Sequence, residues 1–134
     1  MKSQNEIIQD FEIFDDWMEK YQYIIDLGKE LKPLDQTDKI EANKLQGCQS
    51  QVWIVHEISE GKIFFKAESD AAIVAGLVAL VLSIYSGKTA DEIINTKTSF
   101  IADIGLDKHL SPTRSNGLSS LLNKIQETAR SSLS

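Results

Sequence analysis

Val52-Trp53-Ile54-Val55-His56-Glu57-Ile58-Ser59-Glu60-Gly61-Lys62-Ile63-Phe64-Phe65-Lys66-Ala67 is the stretch that decides the fold. Val52, Ile54 and Ile58 alternate with Trp53, Val55 and Glu57, a period of two rich in β-branched and aromatic residues. Such a pattern fits a pleated, half-buried surface and predicts a strand. Ser59-Glu60-Gly61-Lys62 reads as a tight turn with Gly61 free to take positive φ, and Ile63 to Ala67 as the returning strand. Just upstream, Asn43-Lys44-Leu45-Gln46 reads as a third, shorter strand leading into Gly47-Cys48.

Helical patterns lie on both sides of this hairpin. Ile7, Phe11, Phe14 and Met18 recur at helical spacing, and Trp17, Tyr21, Ile24, Ile25 and Leu31 continue the stripe. Asp15 and Asp16 are placed to cap a second helix, so the segment predicts two helices, the second interrupted by Gly28 and ended by Pro33. Leu34 to Ala42 is a polar connection without a period. Beyond the hairpin, Ser69 or Asp70 is expected to cap a helix running from Ala71 to Gly87. Its uncharged part, Ala71 to Tyr85, is shorter than the ~20 residues a bilayer demands, so it predicts a buried core helix. Thr89 and Glu92 have capping-box spacing. Ser111-Pro112 opens a last helix whose Leu118, Leu121, Leu122, Ile125 and Ala129 share a face. The expected architecture is α+β: one domain over residues 1–134, a small antiparallel three-stranded sheet flanked by N- and C-terminal helices.

Composition narrows the function classes. Fourteen basic against 20 acidic residues give a net charge of -6, which disfavours nucleic-acid and anionic-membrane partners. A single cysteine excludes an internal disulfide and a Cys-rich zinc site, and fits a reducing, cytoplasmic setting. The N-terminus lacks a secretory hydrophobic region. Gly87-Lys88-Thr89 is not a phosphate-binding loop, because the position requiring the first glycine holds Leu82.

Cys48 carries the chemical interest. Leu45-Gln46-Gly47-Cys48-Gln49-Ser50-Gln51 surrounds it with small and polar residues, and Gly47 leaves room for a second reactant to approach. This context suits a thiolate that attacks a sulfane or disulfide sulfur, although a lone cysteine reads equally as a packing residue. His56 and His109 read as packing and solvated residues, Asp70 as a cap, Arg114 as solvated or paired, and Trp17 and Trp53 as core.

Four segments together resemble the SufE family of sulfur-acceptor proteins, which includes CsdE. They are Tyr23-Ile24-Ile25-Asp26-Leu27-Gly28, Asn43-Lys44-Leu45-Gln46-Gly47-Cys48-Gln49-Ser50-Gln51-Val52-Trp53, Ser69-Asp70-Ala71-Ala72-Ile73-Val74-Ala75-Gly76-Leu77 and Leu110-Ser111-Pro112-Thr113-Arg114-Ser115-Asn116-Gly117-Leu118. The resemblance implies a fold similar to the IscU-type scaffolds. It also implies that Cys48 accepts sulfur as a persulfide from a pyridoxal-phosphate cysteine desulfurase, SufS-like or CsdA-like. The sulfur then passes to a downstream iron–sulfur scaffold complex, and the acceptor itself needs no cofactor or metal. Gly47, Gln49, Asp70 and Arg114 are the implied partner-facing residues. Two other readings of the chain stand beside this one: a non-catalytic adaptor that activates the desulfurase, and a single-cysteine thiol redox protein.

Overall fold

A computed structural model of the chain describes residues 4–45, 50–96 and 112–133, and the side chains of 5–45, 50–96 and 116–133. Helices α1 (Gln4–Ile13) and α2 (Trp17–Gly28) lead into a non-regular connection containing two short 3-10 turns, Gln36–Asp38 and Glu41–Asn43. Strands β1 (Val52–Ser59) and β2 (Lys62–Ser69) follow, then α3 (Ala72–Tyr85), β3 (Lys88–Thr89), α4 (Ala90–Asn95) and α5 (Pro112–Ser132). The result is an α+β domain with one antiparallel sheet in the order β1-β2-β3.

The hairpin forms as its sequence dictates. Val52 pairs with Ser69 at the open end and Ser59 with Lys62 at the turn. Glu60 and Gly61 take φ of 53° and 78°, the double positive φ of a type I′ turn, whose twist matches that of the strands. The expected third strand differs. Among the described residues of that segment, Lys44 makes a single bridge to Trp53, and Asn43 belongs to the 3-10 turn Glu41–Asn43. The described third strand is Lys88–Thr89, on the other edge beside β2.

Apolar faces of all these layers converge on α3. Residues 76–82, Ile84 and Tyr85 are buried, Leu80 and Val81 completely, which is what a helix apolar all round requires. Ile24 and Leu27 of α2, Val52 and Ile54 of β1, Ile63, Phe65 and Ala67 of β2, and Leu118, Leu121, Ile125 and Ala129 of α5 complete the core. The α2–α3 crossing depends on two glycines. A Cβ at Gly76 would lie 2.1 Å from the Ile24 carbonyl oxygen, and one at Gly28 would lie 2.6 Å from the Gly76 nitrogen. Gly28, an interruption in the sequence pattern, is therefore the last residue of α2 at a point of backbone contact.

Local capping follows sequence in two places. Asp16 accepts the Glu19 N–H at 2.9 Å and starts α2, and Thr89 and Glu92 form a reciprocal capping box on α4. Gly87, at φ 80°, ends the segment after α3 and donates its N–H to the Ile63 carbonyl at 2.7 Å. Met18 departs from expectation. It is 83% exposed, because the break at Asp16 resets the helical phase and turns it outward. Trp53 also lies outside the core. It alternates with buried Val52 and Ile54 and so faces the opposite side of the sheet.

Candidate functional site

Cys48, with Gly47 and Gln49, lies outside the described residues, but both chain ends that lead to it are described. On the N-terminal side, Leu45 donates its N–H to the Val52 carbonyl at 2.8 Å, beside the Lys44–Trp53 bridge. On the C-terminal side, Gln51 exchanges two hydrogen bonds with Asp70. The Gln51 N–H donates to Asp70 Oδ1 at 3.0 Å, and the Asp70 N–H donates to the Gln51 carbonyl at 3.3 Å. Both ends are thus fixed to the open end of the β1–β2 hairpin.

Asp70 was expected to cap α3, and it does not. The N-cap position is Ala71, with no side-chain cap, and Ser69 Oγ accepts the Ala71 N–H at 3.3 Å. Asp70 instead spends its carboxylate on Gln51, close in sequence to Cys48. Its backbone follows the end of β2, which pairs across to Val52, so the sheet register brings it to Gln51. Arg114 falls in the first turn of α5 by backbone position, and its side chain lies outside the description. Of the residues expected at the site, the structure therefore joins Asp70 to the Cys48 segment.

A second carboxylate near the hairpin's open end was not singled out by sequence. Glu68 stands opposite Trp53 in the ladder. One oxygen accepts the Leu34 N–H at 2.9 Å and the other accepts Lys39 Nζ at 2.6 Å. These two bonds, the lysine's first, hold the Glu68 carboxyl below the ordinary glutamate value of 4.5. The Lys39 ammonium also sits 4.9 Å from the centroid of the Trp53 ring, within cation–π range. No sequence signal joins Lys39 to Glu68, since they are 29 residues apart and Lys39 lies in a segment without periodicity.

Beside the N-terminal end, a groove of about 440 Å³ runs between residues 41–45 and α5, with Leu45, Ile54, Asn123 and Lys124 in its walls. His56 lies further along β1, exposed, its ring 6.2 Å from that of Phe65; His109 lies outside the described residues. Among the described residues no three His, Cys, Asp or Glu side chains cluster to hold a metal ion, and no helix is long and apolar enough to cross a membrane.

Comparison with known proteins agrees with this architecture. Residues 5–129 match the family model "SufE: Fe-S metabolism associated domain". A SufE-like protein of Rhizobium meliloti (strain 1021), described as uncharacterized, is 44% identical, over 99% of both chains. Another from Rhizobium etli is 46% identical over 97% of this chain and 91% of its own. A solution structure of a hypothetical protein from Thermus thermophilus superposes with a TM-score of 0.79. It covers 97% of this chain and 95% of its own at 17% identity, a likeness of fold.

Proposed function

Because this chain belongs to the SufE family, whose domain is associated with Fe–S metabolism, we propose that it is a cytoplasmic sulfur acceptor that works through Cys48. A cysteine desulfurase, itself a pyridoxal-phosphate enzyme, presents a persulfide. The Cys48 thiolate attacks the outer sulfur, a new S–S bond forms at Cys48, and the donor's S–S bond breaks to release the donor thiolate. Cys48 then carries the outer sulfur and its proton, and the exchange consumes no external oxidant or reductant. The sulfur passes by the same exchange to an iron–sulfur cluster assembly scaffold.

One observation carries this reading beyond the family match: the reciprocal Gln51–Asp70 bonds. They fix Gln51, three residues after Cys48, to the open end of the hairpin, and a thiolate that must meet a sulfur on another protein benefits from a fixed base. Asp70, Arg114, Gly47 and Gln49 belong to the desulfurase-facing surface in this reading. A single cysteine suits the task, since a neighbouring thiol would discharge the persulfide as sulfide.

The test is intact-protein mass spectrometry after incubation with an active cysteine desulfurase and free cysteine. One added sulfur atom is expected, removable by reductant and missing in Cys48→Ser. An unmodified wild-type protein beside an active desulfurase would sink the acceptor role. Retained desulfurase stimulation by Cys48→Ser would leave an adaptor.

A further inference from the structure

The two edges of the sheet are finished differently. On one side β3 is two residues long and opens on Lys88, a short, charged edge of the kind that discourages further pairing. On the other side β1 runs eight residues, Val52 to Ser59, with no lysine, no proline and an unbroken register against β2. The turn shows which backbone groups that edge presents. A two-residue type I′ turn makes Ser59 and Lys62 a hydrogen-bonded pair, so Ser59, Glu57, Val55 and Trp53 bond to β2. Val52, Ile54, His56 and Ile58 therefore turn their N–H and C=O groups outward. Two bonds agree with this phase. The Leu45 N–H reaches the Val52 carbonyl from outside, and the Gly87 N–H reaches the carbonyl of Ile63, opposite Ile58, from the far side of β2. The Lys44–Trp53 bridge covers the first part of the edge. Among the described residues nothing bonds to the outward groups of His56 and Ile58.

A channel lies along this open stretch. The groove beside residues 41–45 continues into a second of about 360 Å³, and Lys124 and Glu127 line both. The second has His56 and Ile58 on one side and Thr128 and Ser131 of α5 on the other. Ile58 is 55% exposed, an apolar side chain left at the open edge. We propose that the outer edge of β1 at His56 and Ile58 docks an extended segment of a partner protein, which adds to the sheet as a further strand. The backbone supplies the affinity, and Ile58 the preference for a β-branched or other apolar residue opposite it. Lys124 and Glu127 together leave the described wall without net charge to select by. α5 decides between a partner's strand and a second copy of this chain. Paired strands lie about 4.8 Å apart, whereas a helix is about 10 Å across. A second β1 laid against the first would bring its own α5 into the same channel, and a lone strand brings none. The site uses no residue of the Cys48 segment and does not depend on sulfur transfer.

The probe is a phage-displayed library of short random peptides panned on the full-length protein, with recovered peptides resynthesised and titrated by fluorescence anisotropy. Bound peptides are expected to shift the amide resonances of His56 and Ile58 and to slow their hydrogen exchange. His56→Pro removes an outward N–H but no bond to β2, and proline is tolerated at such edge positions. It should weaken binding about tenfold or more. His56→Ala keeps the backbone donor and should bind within about twofold of wild type. Thermal melts show whether His56→Pro is folded, and if it is not, Ile58→Pro takes its place. An edge that yields no binding peptide overturns the proposal, as do peptides that bind the proline variant as tightly as wild type. Equal losses in His56→Ala and His56→Pro would put the contact on the imidazole and reject strand addition. Dimers in sedimentation that His56→Pro abolishes would make the occupant a second copy, which overturns it too.

Discussion

The α2–α3 crossing and the hairpin's open end hold the chain by opposite means. At the crossing, two glycines let backbones touch and the surrounding side chains are apolar and buried. At the open end, two carboxylates reach across exposed or half-exposed surface to backbone N–H groups and one ammonium. Apolar contact is non-directional and cooperative, so it sets stability. Hydrogen bonds beside water contribute little net energy but fix direction. The molecule is stabilised in one place and aimed in the other.

The largest effect expected is at the crossing. Gly76→Ala puts a methyl group into the Ile24 carbonyl, and overpacking of this severity should cost about 3 kcal/mol or more. Urea denaturation measures it, and a loss below about 1 kcal/mol would mean the helices separate easily. At the other extreme of chemistry, Thr89→Ala removes one half of the α4 capping box and should cost about 1 kcal/mol in the same assay.

Asp70 sharpens the contrast. Asp70→Asn keeps an oxygen for the Gln51 N–H, whereas Asp70→Ala removes it. Ala should therefore speed amide exchange at Gln51 while lowering global stability by only about 1 kcal/mol, and Asn should change both less. Equal exchange in the two variants would show that the bond does not hold the segment.

The smallest effect is in pH dependence. Glu68 is held below 4.5 in the fold by Lys39 and Leu34, so its stabilisation is fully present above the unfolded value. It is lost as pH falls through the lower folded value. Glu92, lowered by its bonds to Thr89, acts in the same sense. Urea midpoints measured from pH 6 downward should fall less steeply for Glu68→Gln than for wild type. Parallel curves would remove Glu68 from the acid response.

The sequence was most legible where neighbours in the chain decide the outcome. The period-two hairpin, the Glu60-Gly61 turn, the Asp16 cap and the Thr89–Glu92 box all depend on residues within a few positions of one another. Lys88–Thr89 is too short to display a period, so its pairing with β2 had no local signature. The 43–46 segment has strand-like residues, but Asn43 is taken up by the 3-10 turn Glu41–Asn43, and among the described residues of the segment the ladder contact is a single bridge at Lys44. Asp70 was misassigned for the same reason. A cap is the nearest use for an aspartate before a helix, while its actual partner is 19 residues away. At the candidate site, the thiol and its polar surroundings were readable, but the groups that hold its two ends were joined only by folding.

The two carboxylates at the hairpin's open end sit two positions apart, Glu68 within β2 and Asp70 just past its end. Successive residues of a strand point to opposite faces and advance about 3.4 Å each, so this spacing is a gauge cut into the chain. Deleting or inserting one residue there would leave the composition almost untouched and turn one carboxylate to the wrong face. The length of this short stretch is therefore less free to drift than the identity of most residues around it.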